Sequence, residues 1–147
     1  MQCEIGVYGL GVMGAGIAKN MLVHGFKTAV YSVSQEERKR FETDGYVETC
    51  KVCGTEEELI QSLARPRKIF LMITAGGPVD AVLSSLVPAL EPGDVIFDGG
   101  NSYYKDTDIR CHALEEKGIR YVGCGISGGR LGALYGPSIM PLSLIHI

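Results

Sequence analysis

No apolar run in this chain approaches the roughly 20 residues that a membrane-spanning helix requires. Met1-Gln2-Cys3-Glu4 offers neither the basic leader nor the apolar stretch of a secretory signal, which sets a cytoplasmic location as the expectation. Surplus charge is missing too. A net charge of −3 supplies no long-range pull toward nucleic acid or an anionic lipid surface, so neither is expected as a partner. Cysteine is present but not in sets. Five residues, at 3, 50, 53, 111 and 124, are an odd number without a secretory context and read as reduced thiols. Cys50-Lys51-Val52-Cys53 has the spacing of half a zinc site or of a redox motif, yet no second pair completes a ligand set, so no metal is expected. No internal repeat or linker divides the 147 residues, which favours one domain.

What the chain does have is glycine, 20 residues of it, which suits a fold of tight turns and close backbone approaches. The most informative cluster is Gly9-Leu10-Gly11-Val12-Met13-Gly14, directly after the apolar run Ile5-Gly6-Val7-Tyr8 and directly before a helical pattern. The first glycine of such a turn permits a tight strand-to-helix reversal, the second lets a pyrophosphate approach the backbone, and the third lets the helix pack on the strand. A helix beginning there offers unpaired N–H groups and the positive end of its dipole to an anion.

Ile17, Ala18, Met21 and Leu22 recur at helical spacing until His24-Gly25, and 26–31 reads as a second strand. Ser34 caps a helix with Glu37 at the capping-box position, and Asp44-Gly45 ends it. Residues 46–54 hold at most a short strand. Thr55 opens another capped helix reaching about Leu63, and 68–73 is a continuous apolar run, as in a strand buried on both faces. Pro78 begins a helix with an apolar stripe through Val79, Leu83 and Leu86; 95–97 is a strand, 105–117 a helix and 119–122 a strand. Unbroken alternation of strand and helix predicts an α/β fold, a doubly wound, mainly parallel sheet of the Rossmann dinucleotide-binding type. Its ligand crevice lies at the carboxyl ends of the strands.

Residues just after strands are therefore the candidates for chemistry: Gly9–Gly14, Ser32–Ser34, Ile73–Gly76, Gly99–Ser102 and Ser127-Gly128-Gly129. A carboxylate at the end of the second strand accepts the ribose hydroxyls of NAD and repels a 2′-phosphate. Here Tyr31-Ser32 stands there instead, with Arg38 and Lys39 a helical turn further on, which leans toward NADP without excluding NAD. Asn101 carries an amide able to donate and accept at a Gly-Gly strand exit, where the alternative role is a helix cap.

With Gly-Leu-Gly-Val-Met-Gly (9–14), Asp-Gly-Gly-Asn-Ser (98–102), Asp106-Thr107, Ser-Gly-Gly (127–129) and Tyr-Gly-Pro-Ser-Ile-Met-Pro (135–141), the chain resembles the amino-terminal, cofactor-binding part of the 6-phosphogluconate dehydrogenases. The resemblance covers Ile5 to Pro141. It implies oxidative decarboxylation of 6-phosphogluconate to ribulose 5-phosphate, with hydride passing to NADP, in the pentose phosphate pathway. By that likeness Gly9, Leu10, Gly11, Val12, Met13 and Gly14 hold the pyrophosphate, and Ser32, Val33 and Ser34 meet the adenosine ribose. Ile73, Thr74 and Ala75 lie along the cofactor, Asn101 touches cofactor and substrate, and Ser127, Gly128 and Gly129 touch the phosphorylated sugar acid.

The chain departs from the family pattern in several places. Ser32-Val33-Ser34 lacks the arginine that normally follows the second strand, Thr74 replaces a frequent lysine, and Arg130 replaces the usual glutamate after Ser-Gly-Gly. The family's lysine base and glutamate acid belong to a helical, dimer-forming domain beyond residue 141, so no catalytic acid or base, and a homodimer only for the full-length protein, are expected. Residues 1–141 are then a dinucleotide-binding domain. Leu142-Ser143-Leu144-Ile145-His146-Ile147 is the translation of a transposase-adapter-like sequence and is expected to be a non-native tail. Two other readings remain open: a stand-alone dinucleotide-binding module, and a small β-hydroxyacid dehydrogenase using Lys105 or Lys117 as base.

Overall fold

A computed structural model describes residues 1–45 and 49–142. Most of the tail expected to be non-native, and 46–48 of the ambiguous 46–54 stretch, lie outside these residues. Among the described residues, seven strands form one sheet: β1 (Ile5–Tyr8), β2 (Thr28–Tyr31), β3 (Cys50–Val52), β4 (Lys68–Leu71), β5 (Val95–Asp98), β6 (Arg120–Ser127) and β7 (Ser138–Pro141). Their order is β3-β2-β1-β4-β5-β6-β7, all parallel except the β6–β7 pair. The chain moves outward from β1 in one direction and then from β4 in the other. This is the expected Rossmann-type winding, with its switch point between β1 and β4.

Six helices of the described residues cover the sheet: α1 (Val12–Val23), α2 (Gln35–Thr43), α3 (Glu56–Ser62), α4 (Gly77–Leu86), α5 (Tyr104–Glu115) and α6 (Gly129–Tyr135). Because successive strand side chains point to opposite faces, two cores result. Val7, Val30 and Phe70 meet Ile17 and Leu22 of α1, Phe41 of α2 and Ala133 of α6 on one face. Tyr8, Ile69, Leu71 and Ile96 meet Leu59 of α3, Val79 and Leu86 of α4 and Leu114 of α5 on the other. Cys50 belongs to the first core and Cys53 to the second. Three positions apart, they pack into cores on opposite faces of the sheet.

Several expected boundaries shift. The β2 strand begins at Thr28 rather than 26, leaving Phe26 exposed, and β4 ends at Leu71, so Met72 and Ile73 lie beyond the strand, each half-buried against one of the two cores. The α4 stripe passes at Pro88 into a 3-10 turn, Val87–Ala89, since proline cannot donate to the helical ladder. The larger correction is at the end. The sixth strand runs to Ser127 instead of stopping near Val122, because β7 returns antiparallel and pairs Cys124–Ser127 with Ser138–Pro141. The capping boxes are also half made. Ser34 and Thr55 accept from the Glu37 and Glu58 amides, but the two glutamates reach past their caps, to the Ser32 hydroxyl and the Gly54 amide.

At the amino ends of β4 and β5, a buried ion pair fixes their relative height. Asp94 accepts from the Arg67 amide (2.6 Å), the Arg67 guanidinium (2.8 Å) and the Glu91 amide (2.9 Å). Burial pushes this carboxyl up, but those amides and the guanidinium outweigh it and hold it below the ordinary carboxylate range. A depressed folded pKa contributes stability above the unfolded value, about 4, and that contribution is lost as pH falls through the folded value. Asp94→Ala should cost about 3 kcal/mol, because it leaves the buried Arg67 only the more distant and more exposed Glu91 carboxylate (3.7 Å). Urea melts across the acid range should show a shallower loss of stability in the variant than in the wild type.

Candidate functional site

The crevice is assembled by missing side chains. Gly9 has φ +103, and a Cβ there would lie 2.3 Å from the Met72 carbonyl oxygen. A Cβ on Gly14 would lie 2.0 Å from the Gly9 carbonyl oxygen, so α1 can start against β1 only with glycine at that position. Gly11 differs. Its φ of −61 is open to any residue and nothing lies within 4 Å of where its Cβ would be. The helix it precedes has no side-chain cap, and its first residues carry no acid. The turn therefore leaves the first helix amides without a side-chain cap, and neither backbone conformation nor a close neighbour demands the second glycine.

From this turn the predicted residues run together along the carboxyl edge of the sheet. The Gly9 amide donates to the Tyr31 carbonyl (2.8 Å), which brings the β2 exit alongside, while Gly9 abuts Met72 next to Ile73. Gly100 lies so close that a Cβ on it would sit 2.4 Å from the Ile73 carbonyl oxygen. Asn101, at φ 55, accepts from the Ile126 amide (2.9 Å) and so stands beside Ser127. Val12, Thr74, Ser127, Gly128 and Gly129 are exposed there, and Ile73 and Ala75 are half-buried.

Individual residues depart from their expected parts. Leu10 is 1% exposed and its side chain belongs to the core, so contact from Leu10 to a ligand is confined to its backbone. Met13 packs against the same core. Ser32 is buried, with its hydroxyl bonded to Glu37 (2.6 Å), and Ser34 caps α2, whereas Val33 is exposed. Asn101 is not a helix cap; Tyr103 occupies that position, and the Asn101 amide clamps the β5 exit to β6. Of the two basic residues noted after β2, Arg38 is held at the strand exit, donating to the Ser32 carbonyl and lying 5.6 Å from the Tyr31 ring centroid. Lys39 is exposed. Lys105 and Lys117 are exposed as well.

Beneath the crevice lies a polar network that sequence reasoning missed. Asp98, 1% exposed, accepts from the Gly100 amide (3.0 Å), the Ser102 hydroxyl (2.5 Å) and the Tyr121 hydroxyl (2.6 Å). Burial and then the Asp98 carboxylate raise the Tyr121 pKa well above the phenol range, so it stays a donor. Arg110, 6% exposed, donates to Asp80 (2.8 Å), to the Gly76 carbonyl (3.2 Å) and to Ser102 (3.4 Å). One guanidinium thus ties the β4 exit to the β5 exit. Its partners are 30 and 34 residues away in the chain, and no local pattern marks them.

The family profile described as the NAD binding domain of 6-phosphogluconate dehydrogenase matches residues 4–142. A decarboxylating 6-phosphogluconate dehydrogenase of Bacillus licheniformis is 55% identical over 141 residues, which are 96% of this chain and 30% of the relative. A decarboxylating, NAD(+)-dependent 6-phosphogluconate dehydrogenase of Bacillus subtilis is also 55% identical, over 94% of this chain and 30% of that protein. Among solved structures, Plasmodium falciparum 6-phosphogluconate dehydrogenase, studied as apoenzyme, with its cofactor NADP+ and with its substrate 6-phosphogluconate, superposes with a TM-score of 0.89. It is 39% identical, over 95% of this chain and 30% of that one. The chain thus spans about 30% of the length of these relatives.

Removing the guanidinium tests whether it couples the two loops. Arg110→Met should accelerate amide hydrogen exchange in 73–77 and 99–102 while leaving the central amides of β1 and β4 at wild-type rates. Uniform acceleration across the sheet would show instead that Arg110 supports only global stability.

Proposed function

Since the chain belongs to the family of the NAD binding domain of 6-phosphogluconate dehydrogenase, we propose that residues 1–141 bind the dinucleotide for oxidative decarboxylation of 6-phosphogluconate. The product is ribulose 5-phosphate and the hydride passes to NADP. The reaction belongs to the pentose phosphate pathway, in the cytoplasm.

The observation that carries this reading is the contrast within the glycine turn. Gly9 and Gly14 are required by the fold, while the space at Gly11 is left empty beside uncapped helix amides. A pyrophosphate accounts for that space and for those donors. The adenosine end then lies at Ser32–Ser34, the nicotinamide half along Ile73–Ala75, and the sugar acid between Asn101 and Ser127-Gly128-Gly129. Bound there, the cofactor accepts the hydride. The residues of this chain hold donor and acceptor in register, and the Asp98–Arg110 network keeps the loops that do so from drifting.

The proton-transfer groups belong, on the family likeness, to the part of the relatives that this chain does not span. The chain alone therefore binds without turning over. Leu131 and Tyr135 on α6 and Ile139 and Met140 on β7 are exposed apolar residues, which suits a cover by that further domain and a homodimer of the complete protein. NAD is the second reading for the cofactor, favoured by the NAD(+)-dependent relative and by Val33 in place of an arginine.

Gly11→Asp separates binding from folding. Aspartate is among the best residues to begin a helix, and its Cβ meets open space, so the unfolding temperature should hold or rise. Affinity for NADP, measured by calorimetric titration, should fall by about a hundredfold or more, because the carboxylate both takes the amides and repels the pyrophosphate. A stable variant that binds NADP like the wild type would overturn the assignment of the turn.

A further inference from the structure

We propose that Glu37 is the determinant of nucleotide preference at the adenosine end, delivering from α2 the carboxylate that the end of β2 lacks. The proposal rests on the reading that this chain binds a nicotinamide dinucleotide.

The residue directly after β2 is Ser32, 2% exposed, and its hydroxyl donates to Glu37 Oε2 at 2.6 Å. The Ser34 amide in turn donates to the Ser32 oxygen (3.3 Å), so the hydroxyl serves as a bridge rather than a free donor. Glu37 is aimed back over the strand by the first turn of α2, which the Ser34 cap fixes through the Glu37 amide (3.3 Å). The same glutamate lines a cavity of about 330 Å³ whose wall includes Leu10 and Val12 of the glycine turn. The carboxylate therefore stands between the turn proposed for the pyrophosphate and the strand exit proposed for the ribose. An acid in that position accepts a ribose 2′-hydroxyl and opposes a 2′-phosphate.

The counterweight is the next residue. Arg38 donates to the Ser32 carbonyl and lies over the Tyr31 ring, which keeps its charge at the same exit. Of the other charged groups around the cavity, Lys19 is paired with Asp44 (2.5 Å), and Arg40 and Arg130 are exposed. Consecutive residues of one helix thus bring an acid and a base to the place where NAD and NADP differ. The exposed Val33 contributes no charge to that choice.

Dissociation constants for NAD and for NADP, measured on the wild-type chain and its variants, test this. Glu37→Gln should shift the ratio toward NADP by about tenfold or more, since it removes a like charge near the 2′-phosphate. Arg38→Met should shift it toward NAD. Glu37→Asp keeps the charge but withdraws it from Ser32 and should give an intermediate ratio, and thermal melts of each variant identify any loss of fold. A ratio unchanged within about twofold in Glu37→Gln, with both nucleotides still bound, overturns this proposal alone. Failure of the folded wild type to bind either nucleotide overturns the dinucleotide reading and this proposal with it.

Discussion

Everything at the carboxyl edge depends on how closely α1 can approach β1 and β4. Gly14 rests against the Gly9 carbonyl, and Gly9 against the Met72 carbonyl, at separations that no Cβ would permit. Steric exclusion of this kind is a stiff constraint, because a packed interior yields to an added methyl only by moving backbone. It repeats at the next exit, where a Cβ on Gly100 would lie 2.4 Å from the Ile73 carbonyl oxygen, while one on Gly99 would meet the side chains of Met72 and Phe70. The result is a row of strand ends with their backbones nearly touching, in which a flat, extended ligand meets main chain rather than side chains.

Such a row is held from below by charge. Asp98 and Arg110 are both buried, and each has several hydrogen-bonding partners: Asp98 meets an amide and two hydroxyls, Arg110 a carboxylate, a carbonyl and a hydroxyl. A buried charge left without such partners would cost several kcal/mol, so the partners are obliged to stay, and with them the loops that carry them. Rigidity at the crevice is thus a by-product of satisfying two ions in a poorly polar interior.

Much of this was legible in the sequence. The glycine turn, strands β1, β2, β4 and β5 and five helices follow from apolar periodicity and from the caps Ser34 and Thr55, which are local signals, whereas the three residues of β3 are too few to show a period. The end of β6, α6 and β7 were not anticipated, because Gly125, Gly128, Gly129, Gly132 and Gly136 interrupt any periodic pattern there. What extends β6 to Ser127 is antiparallel pairing with residues further along the chain. The site divided along the same line. Backbone positions such as Gly9–Gly14 and Ser127–Gly129 could be placed from motif spacing alone. Where side chains point could not: the inward turn of Leu10, the clamp made by Asn101 and the reach of Glu37 to Ser32 each depend on a neighbour set by the fold.

The scattered thiols carry a last consequence. Cys3, Cys50, Cys53 and Cys124 are buried, and Cys111 is half-buried with its thiol donating to the Tyr121 carbonyl (3.1 Å). Burial also raises the pKa of the four buried thiols, which lowers the fraction of reactive thiolate. To those four an alkylating reagent therefore gains access through opening of the surrounding structure. Cys50 sits in the outermost parallel strand and Cys124 in a strand flanked on both sides, so their labelling rates time separate events. The chain carries its own set of clocks for the order in which the sheet comes apart.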